Sequence, residues 1–136
     1  HIIISQDTDG LTNPHEADMT WAISRKKPYF VGMRSVSIQE SVGIKRKLVG
    51  FEITDSDSAS EPKECHLVIR GGTITGRVTS ITRSPTLGKV IGLAYVAPDQ
   101  AEPGSAFDIK TDSGKMVRAT VVKLPFYDPD GARQEM

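Results

Sequence analysis

The sequence predicts a mainly β protein: a small antiparallel six-stranded barrel or jelly roll, preceded by a short α+β segment truncated from a larger domain. Two observations indicate this. Apolar stretches of strand length recur from residue 48 onward and are separated by residues that favour turns, whereas the first 43 residues lack that pattern. We therefore divide the 136 residues into an N-terminal segment (1–43) and a β domain (44–136).

The N-terminal segment begins with an apolar run, Ile2-Ile3-Ile4. Such β-branched residues favour a strand, which we expect to end near Ser5, because Asp9-Gly10 is typical of a tight turn soon afterwards. His1 leads directly into the run, so we expect the chain to begin inside a strand, as the tail of a longer protein. A processed terminus on a complete domain is the alternative.

Two short helices are predicted in the N-terminal segment. The first covers residues 14–20, because Thr12 or Asn13 can cap a helix that has Pro14 in its first turn. The second covers residues 33–40, after Gly32. We expect these 43 residues to dock poorly or to pair with another copy when their natural packing partners are absent.

Six strands are predicted in the β domain, over residues 48–53, 65–69, 73–78, 90–96, 107–110 and 117–122. The short Gly-, Pro- and Ser-containing separators favour antiparallel connections. The pattern leaves a closed barrel and a two-sheet jelly roll as alternatives. Residues 54–64 are polar and acidic, and we expect them to form a mobile loop.

The composition argues against several classes of partner. Lys plus Arg number 17 and Asp plus Glu number 17, so the chain has no net charge with which to attract a polyanion. No apolar run approaches the roughly 20 residues that a membrane helix needs. We therefore expect neither nucleic acid nor membrane as a partner. The single cysteine, Cys65, cannot form an internal disulfide, which favours a cytoplasmic protein.

The sequence contains no complete catalytic or metal-binding constellation. The three histidines fall on separate predicted elements: His1, His15 and His66. Cys65 is more typical of a structural cysteine than of a nucleophile. Glu16 and Asp18 are two residues apart on a predicted helix and would face different directions, which argues against a general acid–base pair. We therefore predict no catalytic residue and no metal site in this chain.

Trp21 is the only tryptophan of the chain. A position in the hydrophobic core is the ordinary interpretation of such a residue. Alternatively, its large flat ring could form one wall of a pocket for a planar heterocycle.

Three stretches of the sequence resemble the C-terminal part of the aminomethyltransferase family, which includes the glycine-cleavage T-protein and the folate domains of sarcosine oxidase alpha subunits and dimethylglycine dehydrogenases. They are residues 76–96, with the turn Ser84-Pro85-Thr86-Leu87-Gly88, residues 4–21 followed by 27–36, and residues 121–129. Within the family, two features are most similar to the sarcosine oxidase alpha subunit. These are Asp7-Thr8-Asp9-Gly10 and the ending Lys123-Leu124-Pro125-Phe126-Tyr127-Asp128-Pro129.

The resemblance implies the C-terminal segment of a folate-dependent one-carbon enzyme. Tetrahydrofolate would accept a one-carbon unit from an oxidised N-methyl amine, while flavin and NAD would belong to other parts of a sarcosine oxidase complex. The resemblance also implies that Trp21 and Glu16, which match the family's Pro-x-Glu-x-x-x-x-Trp pattern, are folate-binding residues. The family's key acidic residue would lie upstream of His1, so we expect the parent protein to be an enzyme and this piece alone to be inactive.

Two other functions remain open at this point. The chain could be part of a glycine-cleavage aminomethyltransferase, or a non-catalytic β-barrel that serves as a binding or interaction module. Under the enzyme hypothesis we expect its partners to be the remainder of its own parent chain and other subunits of a hetero-oligomer.

Overall fold

Six antiparallel strands close into a barrel in the computed structural model, which describes residues 2–54 and 61–134. The strands are β1 (Lys47–Ile53), β2 (Leu67–Arg70), β3 (Thr73–Ser84), β4 (Lys89–Val96), β5 (Ala106–Lys110) and β6 (Met116–Val122). Their order around the barrel is β1-β4-β3-β2-β5-β6, and β6 pairs with β1 to complete the ring. The six predicted strands are confirmed, and of the two architectures the closed barrel is correct.

The inward-facing residues of the strands form the hydrophobic core. Side chains alternate between the two faces of a strand, so Val49, Phe51 and Ile53 of β1 all point into the barrel. The rings of Phe51 and Phe107 meet edge to face, with their centroids 5.6 Å apart. Because a closed ring has no free edge, every strand is paired on both sides. The barrel is therefore a complete sheet, and the N-terminal segment packs on its outer face.

Two glycines allow β3 and β4 to approach each other closely. A Cβ atom at Gly76 would lie 1.9 Å from the carbonyl oxygen of Tyr95, and one at Gly92 would lie 2.4 Å from that of Ser80. No side chain fits at such distances, so these positions require glycine. The pairing of the same two strands shifts register between Val78 and Ser80, as at a β-bulge.

The described part of the N-terminal segment contains one α-helix instead of the two predicted. The second predicted helix is confirmed as α1 (Met33–Val42). The prediction of a helix over residues 14–20 is wrong, because residues 14–18 form turns and a single 3-10 turn follows at Thr20–Ala22. Asp18 has a φ of 57°, which a right-handed helix does not allow. The carbonyl oxygen of Glu16 accepts the N–H of Leu48 at 2.7 Å instead of a bond within a helix.

The strand predicted for the Ile run is also wrong. Among the described residues, Ile4 makes only an isolated bridge to Thr8. The carbonyl oxygen of Ile3 accepts the N–H groups of Gln6 at 3.2 Å and Asp7 at 2.8 Å, so the chain turns back at once. These local hydrogen bonds override the β propensity of the run, with which none of the strands β1 to β6 pairs. Residue 1 and residues 55–60, the centre of the predicted acidic loop, lie outside the described residues.

A buried aspartate, Asp7, fastens the N-terminal segment to the outside of the barrel. Its carboxylate accepts the hydroxyl of Ser80 on β3, and its carbonyl oxygen accepts the hydroxyl of Tyr95 on β4 at 2.8 Å. The amide of Gln6 donates to the carbonyl oxygen of Thr79 at 2.9 Å. These contacts hold the start of the segment on the barrel, while the expectation that the segment docks poorly or pairs with another copy stays a prediction. In the described residues, no helix has the length and apolar character to span a membrane.

Candidate functional site

A cleft of about 730 Å³ lies between the N-terminal segment and the outer face of the barrel. We call it the Trp21 cleft. Its walls come from the N-terminal segment, from β1, β3 and β4, and from the chain that follows β6. The lining residues are Ile2, Ile3, Gln6, Ala17, Asp18, Met19, Trp21, Leu48, Glu64, Ser80, Ile81, Thr82, Ile91, Gly92, Leu93, Leu124, Pro125 and Phe126. A space of this size is in the range of small-molecule sites.

The floor of the Trp21 cleft is a small apolar cluster on the outside of the barrel. Leu48 and Leu93 line the cleft and are buried together with Tyr95, which does not line it, and Ile2 and Phe126 pack against this cluster. These strand residues alternate with the core residues, so the same strands supply both the barrel interior and the floor of the cleft. The sequence identified these positions only as strand residues and did not predict that their outer face is covered.

Trp21 stands at the rim of this cleft. It belongs to the 3-10 turn Thr20–Ala22, and its side chain is 81% exposed, so the interpretation as a core residue is wrong. Its place among the lining residues agrees with the alternative of a pocket wall. An exposed indole beside an apolar cleft offers a flat surface on which a planar ring can stack.

Glu16, the second predicted folate-binding residue, is not among the residues that line the Trp21 cleft. Its carboxylate lies 3.3 Å from Nε of Arg46, and its backbone oxygen accepts the N–H of Leu48. The structure therefore does not bring Glu16 and Trp21 together at the cleft. In this arrangement Glu16 joins the N-terminal segment to the start of β1.

The guanidinium group of Arg46 lies over the ring of Tyr95, 4.5 Å from its centroid. Burial raises the pKa of the Tyr95 hydroxyl above its usual range. Close by, hydrogen bonds from the hydroxyl of Thr12 and the N–H of Leu11 lower the pKa of Asp9, and the charge of Arg46 adds to the effect. The sequence analysis missed this cluster. The sequence analysis assigned no role to Arg46, which lies between Lys45 and Lys47 just before the first predicted strand.

The polar groups of the Trp21 cleft are few. Ser80 and Thr82 offer hydroxyls, Gln6 offers an amide, and Asp18 and Glu64 are acidic. No Lys or Arg occurs among the described residues that line it. The cleft therefore offers an apolar surface with a few hydrogen-bonding groups, and its lining residues supply no cation for a negatively charged ligand group.

His66 is fixed by hydrogen bonds at the entrance to β2. Its Nδ1 accepts the N–H of Lys63 at 3.0 Å, and its Nε2 lies 2.9 Å from a carboxylate oxygen of Asp112. Cys65 is exposed and precedes the strand, which begins at Leu67 rather than at the predicted residue 65. Within residues 2–54 and 61–134, no group of His, Cys, Asp and Glu is arranged to hold a metal ion. His66 is accounted for as a structural residue.

The closed six-stranded barrel defines a class of small β-barrel domain, and the sequence of the chain matches a family of such domains. Residues 46–128 match the family model of the glycine cleavage T-protein C-terminal barrel domain. This match covers more than half of the 136 residues, and the chain belongs to that family. The resemblance to the aminomethyltransferases is confirmed at the level of the family.

Particular relatives agree with this assignment. The chain is 38% identical over 126 residues to an aminomethyltransferase of Thermosynechococcus vestitus. The aligned region covers 93% of the chain and 33% of that relative. It is 40% identical over 115 residues to an aminomethyltransferase of Bacillus subtilis, which covers 84% of the chain and 31% of the relative. The chain spans about a third of the length of these relatives.

A solved structure supports the fold. The crystal structure of glycine cleavage system aminomethyltransferase T from Bartonella henselae superposes with a TM-score of 0.79 at 24% identity. The superposition covers 91% of this chain and 34% of that one. This likeness supports the fold described above.

Proposed function

We propose that this chain is the C-terminal segment of a folate-dependent aminomethyltransferase and that the Trp21 cleft forms one wall of its folate site. The observation that carries the proposal is the exposed indole of Trp21 at the rim of an apolar cleft, in a chain of this family. Tetrahydrofolate, when bound, supplies the nitrogen that accepts the one-carbon unit. The division at residue 43 into a tail of a folate-binding domain and a barrel domain is part of this proposal.

Of the two enzymes expected from the sequence, the glycine-cleavage aminomethyltransferase is better supported than the sarcosine oxidase alpha subunit. The relatives reported above are named aminomethyltransferases and are 38% and 40% identical to the chain. The sarcosine oxidase hypothesis rests only on the Asp7–Gly10 and Lys123–Pro129 stretches. Flavin and NAD, which were expected only with a sarcosine oxidase complex, therefore have no part in the proposed function.

The residues of this chain would bind and shield the ligand rather than react with it. Trp21 would stack on a planar ring, and Ser80 and Thr82 would hydrogen-bond to its polar edge. Leu124 and Phe126 would exclude water from one side of the cleft. The reacting acidic group is expected upstream, so we propose that the chain contributes binding and does not catalyse the transfer alone.

The same proposal includes the partners and the location. The upstream part of the parent protein would cover apolar side chains that the N-terminal segment leaves exposed, such as Leu11 (88%) and Val31 (91%). Other subunits of a hetero-oligomer would be further partners. The absence of nucleic-acid and membrane partners, and the cytoplasmic location, stay predictions from charge balance and cysteine content.

The proposal is tested by calorimetric titration of the 136-residue chain with folinic acid, a stable folate analogue. We expect saturable binding with quenching of the fluorescence of Trp21, the only tryptophan. Trp21→Ala should weaken binding at least about tenfold, which corresponds to about 1.4 kcal/mol. Tyr29→Ala is the matched control, because Tyr29 is an equally exposed aromatic residue outside the cleft lining (74%).

Two outcomes would contradict this proposal. One is the absence of any binding heat from the unaltered chain at millimolar folinic acid. The other is equal affinity of the Trp21→Ala and Tyr29→Ala variants, which would place the ligand elsewhere.

A further inference from the structure

The loop of residues 9–18, which we call the 9–18 loop, is joined to the start of β1 by contacts that converge on Arg46. The Nε atom of Arg46 lies 3.3 Å from the carboxylate of Glu16. Its Nη2 atom lies 3.3 Å from the hydroxyl of Thr12 and 3.8 Å from a carboxylate oxygen of Asp9. One guanidinium group therefore contacts the beginning and the end of the loop at once.

The pair formed by Arg46 and Glu16 is more buried than an ordinary surface ion pair. The side chain of Arg46 is 30% exposed and that of Glu16 is 13% exposed, while Tyr95 beneath the guanidinium group is buried. Partial burial reduces the screening that weakens exposed pairs. A planar guanidinium can stack on a ring and donate in its own plane at the same time, which the single ammonium group of a lysine cannot do.

The 9–18 loop leads directly into a wall of the Trp21 cleft. Ala17 and Asp18, at its end, and Met19 line the cleft together with Trp21. Two further bonds hold the same stretch: the N–H of Leu48 donates to Glu16, and Lys47 lies 3.3 Å from Asp18. The opposite wall includes residues of β1 and β4. Arg46 immediately precedes β1, and its guanidinium group lies over Tyr95 of β4. The separation of the two walls thus depends on how the loop is held.

We propose that Arg46 is a positioning residue for the Trp21 cleft: by holding the 9–18 loop on Tyr95, it sets the place of the Trp21 wall relative to the barrel. Arg46 does not itself line the cleft. The proposal rests on the proposed function only for the identity of the ligand, because the placement of the loop is a property of the unliganded chain.

The test compares the Arg46→Gln, Arg46→Lys and Arg70→Gln variants with the unaltered chain. Arg70 is the matched control, because it pairs with Asp99 on an exposed surface and takes no part in the Trp21 cleft. Hydrogen exchange measures the protection of residues 9–21 and of the barrel amides without ligand. Calorimetry with folinic acid then measures affinity.

We expect Arg46→Gln to raise the exchange of residues 9–21 at least about fivefold while barrel exchange changes less than twofold. It should also weaken the binding of folinic acid at least about fivefold. Arg46→Lys should lie between, because it keeps the charge and loses the stacked fork. Arg70→Gln should match the unaltered chain in both measurements.

Uniform exchange increases across the barrel and residues 9–21 would overturn the proposal, because they would make Arg46 a residue of general stability. Equal affinity of Arg46→Gln and Arg70→Gln would overturn it as well. If the unaltered chain binds no folinic acid, the proposed function fails, and the exchange measurement alone then decides the role of Arg46.

Discussion

The barrel buries its large apolar side chains, whereas the N-terminal segment leaves several of its own exposed. In the barrel, Phe51, Val68 and Ile109 are fully buried at 0% exposure. In the N-terminal segment, Leu11 is 88%, Trp21 81% and Val31 91% exposed, and α1 buries no residue. A closed sheet satisfies its own hydrogen bonds and fills its own interior, whereas a turn-rich segment has no second layer to cover it. The difference indicates that the apolar core which stabilises the chain lies in the barrel, whereas the N-terminal segment adds little buried apolar surface.

The largest expected effect compares one aromatic residue from each region. Phe51→Ala should destabilise the chain by about 3–5 kcal/mol, because it leaves a cavity and removes the edge-to-face contact with Phe107. Trp21→Ala should change the free energy of unfolding by no more than about 0.5 kcal/mol, since its ring is exposed. Urea denaturation followed by circular dichroism measures both. Similar losses would mean that the two regions do not differ as described.

A second comparison uses glycines. Gly76→Ala should cost about 1–3 kcal/mol or more, because the added Cβ would overlap the carbonyl oxygen of Tyr95 and force β3 and β4 apart. Gly10→Ala, in the N-terminal segment, has no atom within 4 Å of the new Cβ and should stay within about 0.5 kcal/mol. Thermal unfolding of the two variants checks this. A Gly76→Ala variant as stable as Gly10→Ala would show that the strands are not held in close contact.

The third prediction tests how firmly the two regions are joined. Asp7→Ala removes the acceptor of the Ile3 N–H and of the Ser80 hydroxyl in a buried place, which should cost about 1–3 kcal/mol. We expect the loss to appear as faster hydrogen exchange over residues 2–20, with the barrel amides little changed. Asp99→Ala is the control, because it removes a carboxylate from an exposed pair with Arg70. Equal exchange in the two variants would mean that Asp7 does not fasten the segment.

Sequence reasoning succeeded where the structure depends on local patterns. The strands were predicted because alternation and turn residues such as Gly71-Gly72 lie close together in the chain. The prediction of a helix over 14–20 was wrong, because the carbonyl oxygen of Glu16 accepts a hydrogen bond from the N–H of Leu48. Leu48 lies about thirty positions away in the sequence, so no local pattern indicates this bond. The strand of the Ile run failed for a related reason, since none of the six strands in the described residues pairs with it.

The candidate site divides in the same way. Trp21 could be proposed as a site residue from the sequence because a lone tryptophan in a recognisable pattern stands out by itself, and its role as a folate-binding residue stays a prediction. The positions of Glu16 and Arg46 could not be predicted, because their ion pair joins residues 30 positions apart and depends on the covered outer face of the barrel. The cleft itself exists only once the barrel has closed and the segment has packed on it, which no short stretch of sequence encodes.

The smallest expected effect concerns the pH dependence of the junction between the two regions. The hydrogen bond from the Thr12 hydroxyl lowers the pKa of Asp9 below its usual value of about 4. The N–H of Leu11 and the charge of Arg46 lower this pKa as well, by smaller amounts. A depressed folded-state pKa contributes stability above the unfolded-state value, and that contribution is lost as the pH falls through the folded-state pKa. Thr12→Val should therefore move the pKa of Asp9 upward toward its ordinary value, and Arg46→Gln should do so to a smaller extent. An NMR titration of the Asp9 carboxyl carbon measures the shift. If Thr12→Val does not raise this pKa, the hydrogen bond inside the 9–18 loop is not formed in solution; if Arg46→Gln does not raise it, the contact between Asp9 and Arg46 is not formed there.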